Sequence, residues 1–121
     1  FKVLLDRYEA QKQGVPQTEI EVHAIRLGDI AIVTNPFELF VDYGLQIKAR
    51  SPALLTLTSQ LSAEVNRAEA YLATSRAVAA GGYSAEIPWY NHVGPEGGRI
   101  LVDRTVDFLQ GLWPTGFPGT K

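Results

Sequence analysis

The segment EIEVHAIRLGDIAIVT, residues 19–34, decides the fold class of this chain. Its first half alternates between apolar and polar side chains, which is typical of a β-strand with one solvent-facing side. Gly28 and Asp29 suit a two-residue turn with glycine first. The following run, residues 30–33, is entirely apolar and predicts a central strand that is buried on both faces. The segment therefore predicts a β-hairpin.

The sequence on either side of this hairpin predicts helices and one more strand. Residues 1–13 and 99–113 place apolar side chains at intervals of three and four, as amphipathic helices do. Residues 54–58 alternate leucine with threonine and predict a strand beside the hairpin. The stretch 77–98 contains many glycines and prolines and predicts a long loop. We therefore expect an α/β fold, with a mixed sheet and flanking helices.

The segment after the hairpin carries the signature of a helix start. Asn35 is a favoured N-cap residue, and Pro36 suits the first helical position. Glu38 is placed to complete a capping box by reaching back to the N–H of the cap residue. A helix is expected to run from here to about residue 50.

Length and composition limit the classes of protein that the chain could belong to. With 121 residues it forms one domain-sized unit, in which residues 114–121 are expected to be a flexible tail. Eleven basic and thirteen acidic side chains give a net charge of −2, which argues against a nucleic-acid partner. No apolar run approaches the ~20 residues of a transmembrane helix. The absence of cysteine excludes disulfides and thiolate zinc sites.

The first residue is Phe1, and the sequence contains no methionine. These two features suggest a fragment or one piece of a cleaved precursor. A fragment of a larger domain is expected to leave an apolar surface or the edges of its sheet uncovered.

Standard catalytic motifs are absent from the sequence. There is no nucleophile elbow, no H-E-x-x-H zinc motif and no phosphate-binding glycine loop. The chain has two histidines, His23 and His92, which together with Glu38 could form a small independent metal site. No local spacing supports that site, and both histidines also suit ordinary structural roles.

Four stretches, in the same order along the chain, resemble the neutral ceramidase family. In that family a strand with the pattern G-D-x-A-I runs into P-G-E, and a segment N-x-Y-x-x-Y-[VI]-T-T follows. A tyrosine-containing loop and a G-P pair then precede the last helix. The corresponding stretches here are LGDIAIVTNPFE (27–38), NRAEAYLAT (66–74), GGY (81–83) and VGPEGG (93–98). The resemblance covers about residues 20–112.

The resemblance implies a zinc-dependent hydrolase of linear amides. The family holds one zinc ion through two histidines, a glutamate and a tyrosine, and the last two match Glu38 and Tyr71. Asn66, Tyr83 and His92, which lie in or near the matching stretches, are expected at the substrate pocket. The family's histidines and its serine lie upstream of the matching region and are absent from this sequence. The chain is therefore expected to be inactive alone, to need an N-terminal segment of its parent or a second chain, and to come from an exported protein.

Differences from the family pattern keep other interpretations open. Phe37 replaces the glycine before the glutamate, and Ala68 stands where the family has its first tyrosine. An amide other than ceramide would be compatible with both changes. Glu38 could serve the helix cap alone, and Tyr71 could be a core aromatic. The scaffold could also be a non-catalytic binding or assembly module with an exposed aromatic loop.

Overall fold

The computed structural model describes residues 2–14, 17–62, 70–86, 91 and 93–113. The prediction of a flexible tail at 114–121 lies outside these residues. The described elements, in chain order, are α1 Lys2–Gln13, β1 Ala24–Leu27, β2 Ile30–Thr34, β3 Glu38–Leu39, α2 Val41–Arg50, β4 Leu55–Ser59, β5 Tyr71–Leu72, α3 Ser75–Ala80, a 3-10 turn Tyr83–Ala85 and α4 Pro95–Leu112. The α/β prediction, with a mixed sheet and flanking helices, is confirmed.

The larger sheet has three strands in the order β1-β2-β4. β1 and β2 pair antiparallel, and β4 lies parallel to β2 on its other side. Gly28 begins the connecting turn at φ +62°, a conformation that glycine adopts without strain. The predicted hairpin and its neighbouring strand are both present, but the first strand of the hairpin begins at Ala24 and residues 19–23 are not part of it. A second sheet consists of β3 and β5, paired in parallel.

The core lies between one face of the larger sheet and the helices α2 and α4. Its side chains are mainly aliphatic and include Ala31, Val33, Ile47, Leu101, Val102, Val106 and Leu109. α4 begins four residues earlier than predicted, at Pro95, because Gly94 adopts an extended conformation and proline fits the first helical turn. The helix buries one apolar stripe along its length.

The opposite face of the larger sheet is exposed, which corrects the prediction for β2. Ala31 and Val33 point into the core, whereas Ile30 on the other face is 38% exposed. The strand therefore alternates, although every residue in 30–33 is apolar. β4 shows the same arrangement, because Thr56 is buried and its neighbouring leucines face outward. An uncovered apolar surface is thus present among the described residues.

The predicted helix start at Asn35 is wrong, because α2 begins at Val41. The side chain of Asn35 accepts a hydrogen bond from the N–H of Phe37 and donates one to the carbonyl of Ser59. The N–H of Glu38 donates to the carbonyl of Ala70. Pairing with a distant strand thus replaces the capping box, and Glu38 lies on a strand.

The predicted loop at 77–98 is also partly wrong. Residues 75–80 form α3, whose first turn is capped by the side chain of Thr74 accepting from the N–H of Ala77. Gly81 and Gly82, both with positive φ, then lead into the 3-10 turn. In the described part of the chain, no helix has the length and apolarity needed to cross a membrane.

Candidate functional site

The pairing of β3 with β5 places Glu38 directly opposite Tyr71. The two residues are register partners in a parallel pair, and Leu39 and Leu72 are the next partners. Hydrogen bonds from the N–H of Glu38 to the carbonyl of Ala70 (3.2 Å) and from the N–H of Phe40 to that of Leu72 (3.4 Å) fix this register. Glu38 and Tyr71, which are 33 positions apart in the sequence, therefore lie side by side.

Alternation along the two strands directs both polar side chains to the same side. Phe37 and Leu72 are buried in the core, so their neighbours Glu38 and Tyr71 point the other way. Both are half-buried. Two apolar anchors thus hold a carboxylate and a phenol side by side at the surface of the small sheet.

The phenol of Tyr71 interacts with two polar neighbours. Its hydroxyl donates a hydrogen bond to the carboxylate of Glu38, and this bond raises the pKa of Tyr71 above its usual value. Partial burial and the negative charge of Glu38 act in the same direction. The hydroxyl of Ser84 donates to the phenol oxygen and opposes the shift. Glu38, Tyr71 and Ser84 therefore form one interacting group, in which Glu38 raises and Ser84 lowers the pKa of the phenol.

The 3-10 turn supplies a second aromatic side chain to this group. The rings of Tyr71 and Tyr83 meet edge to face, with centroids 6.0 Å apart and planes at 76°. Tyr83 is otherwise exposed, at 73%. The resemblance drew attention to Tyr83 but not to Ser84. In the sequence, Ser84 directly follows Gly81-Gly82-Tyr83. One tight turn can present consecutive side chains to the same neighbour, and this position is the one feature of the sequence that indicates a role for Ser84.

Tyr71 also lines a cavity of about 240 Å³, together with residues of α1, α3 and the start of α4. Arg7 and Asn91 line it, and the guanidinium of Arg7 donates to the backbone carbonyl of Asn91 at 2.7 Å. The side-chain amide of Asn91 donates to the carbonyl of Glu86. Its Oδ1 is buried and, among the described residues, has no hydrogen-bond partner. The cavity therefore offers a hydrogen-bond acceptor close to Tyr71.

Of the remaining predicted residues, only His23 lies in the described part of the chain, and it is not part of this group. Asn66 and His92 lie outside the described residues. His23 lies just before β1, where its Nε2 is 2.9 Å from the carboxylate of Glu21, and both side chains are exposed. The alternative metal site with His23, His92 and Glu38 has no geometric support in the described part of the chain.

The carboxylate of Glu38 and the phenol oxygen of Tyr71 are suited to two of the ligand positions around a metal ion. Carboxylate and phenolate oxygens bind zinc at about 2.0–2.2 Å, and zinc in proteins takes four ligands. Glu38 and Tyr71 are direct partners across the strand pair and lie on the same side of it, as ligands of one ion require. Within 2–14, 17–62, 70–86, 91 and 93–113, no group of three histidine, cysteine, aspartate or glutamate side chains forms a complete site. Glu38 and Tyr71 could therefore supply two of the four ligands of a zinc ion.

No protein-family model, curated protein or solved structure matches the chain. A functional assignment therefore depends on two observations, the geometry around Tyr71 and the motif resemblance described above.

Proposed function

We propose that this chain supplies two oxygen ligands, Glu38 and Tyr71, to the zinc site of an amidohydrolase that resembles neutral ceramidase. The register of β3 and β5 carries the proposal, because the two residues singled out by the motif resemblance are direct partners across that pair. Two histidines from another polypeptide segment would complete the shell. The isolated chain is then inactive.

Zinc at this position would lower the pKa of a bound water to about 7 and polarise the carbonyl of the substrate amide. Glu38 supplies a fixed anionic oxygen, held in place by the backbone pairing of β3. Because Glu38 is on a strand and not in a capping box, its carboxylate is not used by a helix terminus. Its hydrogen-bonding capacity is directed to Tyr71.

Tyr71 has two roles open to it on this scaffold. As a phenolate it would be the second oxygen ligand, and as a neutral phenol it would donate to the oxyanion of the tetrahedral intermediate. The hydroxyl of Ser84 donates to the phenol oxygen and so supports negative charge there. The edge-to-face contact with Tyr83 restricts the orientation of the ring.

The substrate side of the site is best matched by a linear amide. The cavity next to Tyr71 has room for a small polar group, and the buried Oδ1 of Asn91 would accept a hydrogen bond from an N–H or O–H of that group. Phe37, which replaces the family's glycine, is 3% exposed in the core. The side chain of Phe37 therefore packs in the core, away from the face of the strand that carries Glu38.

The test is metal binding and activity in the complete product of the reading frame that encodes this chain. We expect about one zinc ion per molecule and hydrolysis of a linear N-acyl amide that is lost on chelation. Glu38→Gln should weaken zinc binding by at least about ten-fold, because the amide lacks the anionic charge of the carboxylate. Tyr71→Phe should lower kcat more than it raises KM if the phenol acts on the intermediate.

The matched control is Glu86→Gln, which removes a carboxylate close to the same cavity but not on the paired strands. It should leave zinc affinity unchanged. Unchanged zinc affinity in Glu38→Gln would reject Glu38 as a ligand, and a metal-free protein that hydrolyses the amide would reject the zinc mechanism.

A second candidate function is a non-catalytic assembly module on the same scaffold. The exposed apolar face of the larger sheet favours it, because a face of that kind is normally covered in α/β proteins. Complete product without bound zinc or hydrolase activity, in a stable complex with another chain, would support this alternative over the enzyme.

A further inference from the structure

β4 is an edge strand of the larger sheet. The described strands follow the order β1-β2-β4, so β4 has a neighbour on one side. The N–H of Asn35, directly after β2, donates to the carbonyl of Ser59, which therefore faces β2. Because backbone groups alternate in direction along a strand, those of Thr56 and Thr58 face away from β2. In the described part of the chain, no strand pairs with these outward groups.

This edge has none of the features that normally prevent a strand from pairing with another chain. Folded proteins protect open edges with charged side chains, proline or β-bulges. β4 has the sequence Leu-Thr-Leu-Thr-Ser, and its pairing with β2 is regular over all five residues. The other edge strand, β1, carries the charged residue Arg26. An unprotected edge of this kind can bind an extended peptide as a further strand.

α2 forms a wall beside the edge of β4. On the inner face of the sheet, α2 packs against β4 and α4 packs against β1. Two neighbouring helices are about 20 Å wide, whereas three strands spaced by about 4.8 Å are about 14 Å wide. α2 therefore extends beyond β4, and a cavity of about 260 Å³ lies between the helix and the end of the strand. Helix and strand are close there, because a Cβ at Gly44 would lie 3.6 Å from the hydroxyl oxygen of Thr58.

The groove between α2 and β4, called here the edge groove, has an apolar wall and a positive charge. Val41 and Leu45 line it from α2 and are 70% and 59% exposed. Lys48 lies one turn beyond Leu45 and is the charged member of the described lining residues. Among the described residues, no ion pair involves Lys48. The edge groove therefore favours an occupant that has apolar side chains and a carboxylate.

The two faces of the sheet determine the side chains of an added strand. Successive residues of a strand point to opposite faces. On the inner face they would meet Val41 and Leu45 of α2. On the other side they would meet the outer sheet face, which is the exposed face of the larger sheet and includes Leu55 and Leu57. The added strand is therefore apolar on both faces, and its acidic residue pairs with Lys48.

We infer that the edge groove binds an extended peptide segment of a partner protein, apolar in its centre and acidic at one end, as a fourth strand beside β4. A second copy of this chain fits the edge less well. Paired β4 strands would lie about 4.8 Å apart, whereas the two α2 helices above them need about 8–10 Å between their axes. A single peptide strand brings no helix. This inference is independent of the zinc site.

The test follows amide signals of the isotope-labelled chain by NMR. The probe is an acetylated and amidated peptide, Glu-Val-Ile-Val-Glu, which carries a carboxylate at either end. We expect a Kd of about 100 μM or tighter, and slower hydrogen exchange at the N–H groups of Thr56 and Thr58 in the complex. The same peptide with proline in place of its isoleucine should bind at least about ten-fold more weakly, because proline lacks the N–H that strand pairing uses.

Protein variants separate the edge groove from general charge attraction. Lys48→Glu and its control Arg104→Glu both replace an exposed cation on a helix with an anion, but Arg104 lies on α4, outside the groove. Lys48→Glu should weaken binding at least about ten-fold, and Arg104→Glu by less than about two-fold. Thr58→Pro removes an outward N–H and should weaken binding as much as Lys48→Glu does. Circular dichroism verifies that the variants are folded.

Three results would overturn the inference. The first is no binding of the acidic peptide at about 1 mM. The second is slow exchange at Thr56 and Thr58 in the free chain: at every protein concentration it would show that the chain covers its own edge, and only at high concentration that a second copy does. The third is equal affinity of the peptide for Lys48→Glu and the unchanged chain.

Discussion

At the level of single residues, the main feature of the candidate site is the pairing of Glu38 with Tyr71. The motif resemblance predicted both residues, and the structure makes them partners across β3 and β5. Ser84 could not be predicted, because its contact depends on the positive-φ glycines that set the 3-10 turn. The capping role of Glu38 was a sound local prediction that failed because the N–H of Asn35 donates to the carbonyl of Ser59 and the N–H of Glu38 donates to the carbonyl of Ala70.

The first prediction concerns the titration of Tyr71 in the metal-free chain. Its pKa is raised above 10.0, chiefly by the hydrogen bond to Glu38. The contact therefore stabilises the fold below pH 10, and this contribution is lost as the pH rises through the raised pKa. Tyrosine-labelled NMR should show that Glu38→Gln lowers the pKa of Tyr71.

Tyr43 is the internal reference for that experiment. Its pKa is raised mainly by burial, and it should not respond to Glu38→Gln. If Tyr71 titrates identically in the unchanged chain and in Glu38→Gln, the hydrogen bond between them is absent in solution.

At the scale of elements, the chain is held together by the packing of α2 against α4 and the sheet. The sequence predicted the helical periods but not all the boundaries. The segment 35–40 has the composition of a helix start, yet its pairing with β5 depends on residues far away in sequence. Likewise, the glycines of α4 suggested a loop, whereas Gly98 lies in the helix where close packing requires a small residue.

The second prediction tests this close packing. A Cβ at Gly98 would overlap the ring of Tyr43, whose hydroxyl donates to the carbonyl of Ala73. Gly98→Ala should therefore lower the free energy of unfolding by roughly 1–3 kcal/mol. Gly111→Ala, in the same helix but at a position where a Cβ would lie within 4 Å of no side chain in the described residues, should raise it by up to about 1 kcal/mol. Urea denaturation measures both; equal effects of the two substitutions would contradict the packing.

The third prediction concerns the ion pair between α2 and α4. Arg50 lies 2.7 Å from Asp103, and Arg99 lies 3.1 Å from its other oxygen. The hydrogen bond from Arg50, with help from Arg99, holds the pKa of Asp103 below its usual 3.8. A lowered carboxyl pKa stabilises the fold above the unfolded-state value, and this contribution is lost as the pH falls through the folded-state value.

Asp103→Asn should consequently lower the urea midpoint of unfolding at pH 7. The difference in urea midpoint between this variant and the unchanged chain should shrink below about pH 4. Asp107→Asn is the control, because among the described residues Asp107 has one ion pair, with Arg104, and it is 4.0 Å long. A difference that stays constant between neutral and acid pH would mean that the charge of Asp103 does not contribute.

In the molecule as a whole, the paired residues Glu38 and Tyr71 and an uncovered sheet face occur in one chain. The α/β class could be predicted from residues 19–34 and the flanking helical periods. The exposure of the outer sheet face could not, because an unbroken apolar run in 30–33 is equally typical of a strand covered on both sides. Whether the outward side chains of a strand are buried depends on which elements pack on that face. The order of apolar and polar residues within the strand does not show whether such elements are present.

A cobalt titration of the isotope-labelled chain, followed by NMR, tests the assignment of a metal site to Glu38 and Tyr71. Co²⁺ takes the ligands that zinc takes, and its paramagnetism marks the residues closest to it, even when binding is weak. We expect the first and largest effects on the amides of Glu38 and Tyr71. We also expect their loss in the double variant Glu38→Gln, Tyr71→Phe. Effects centred instead on His23 and Glu21, and unchanged in that variant, would contradict the assignment of the metal site to β3 and β5.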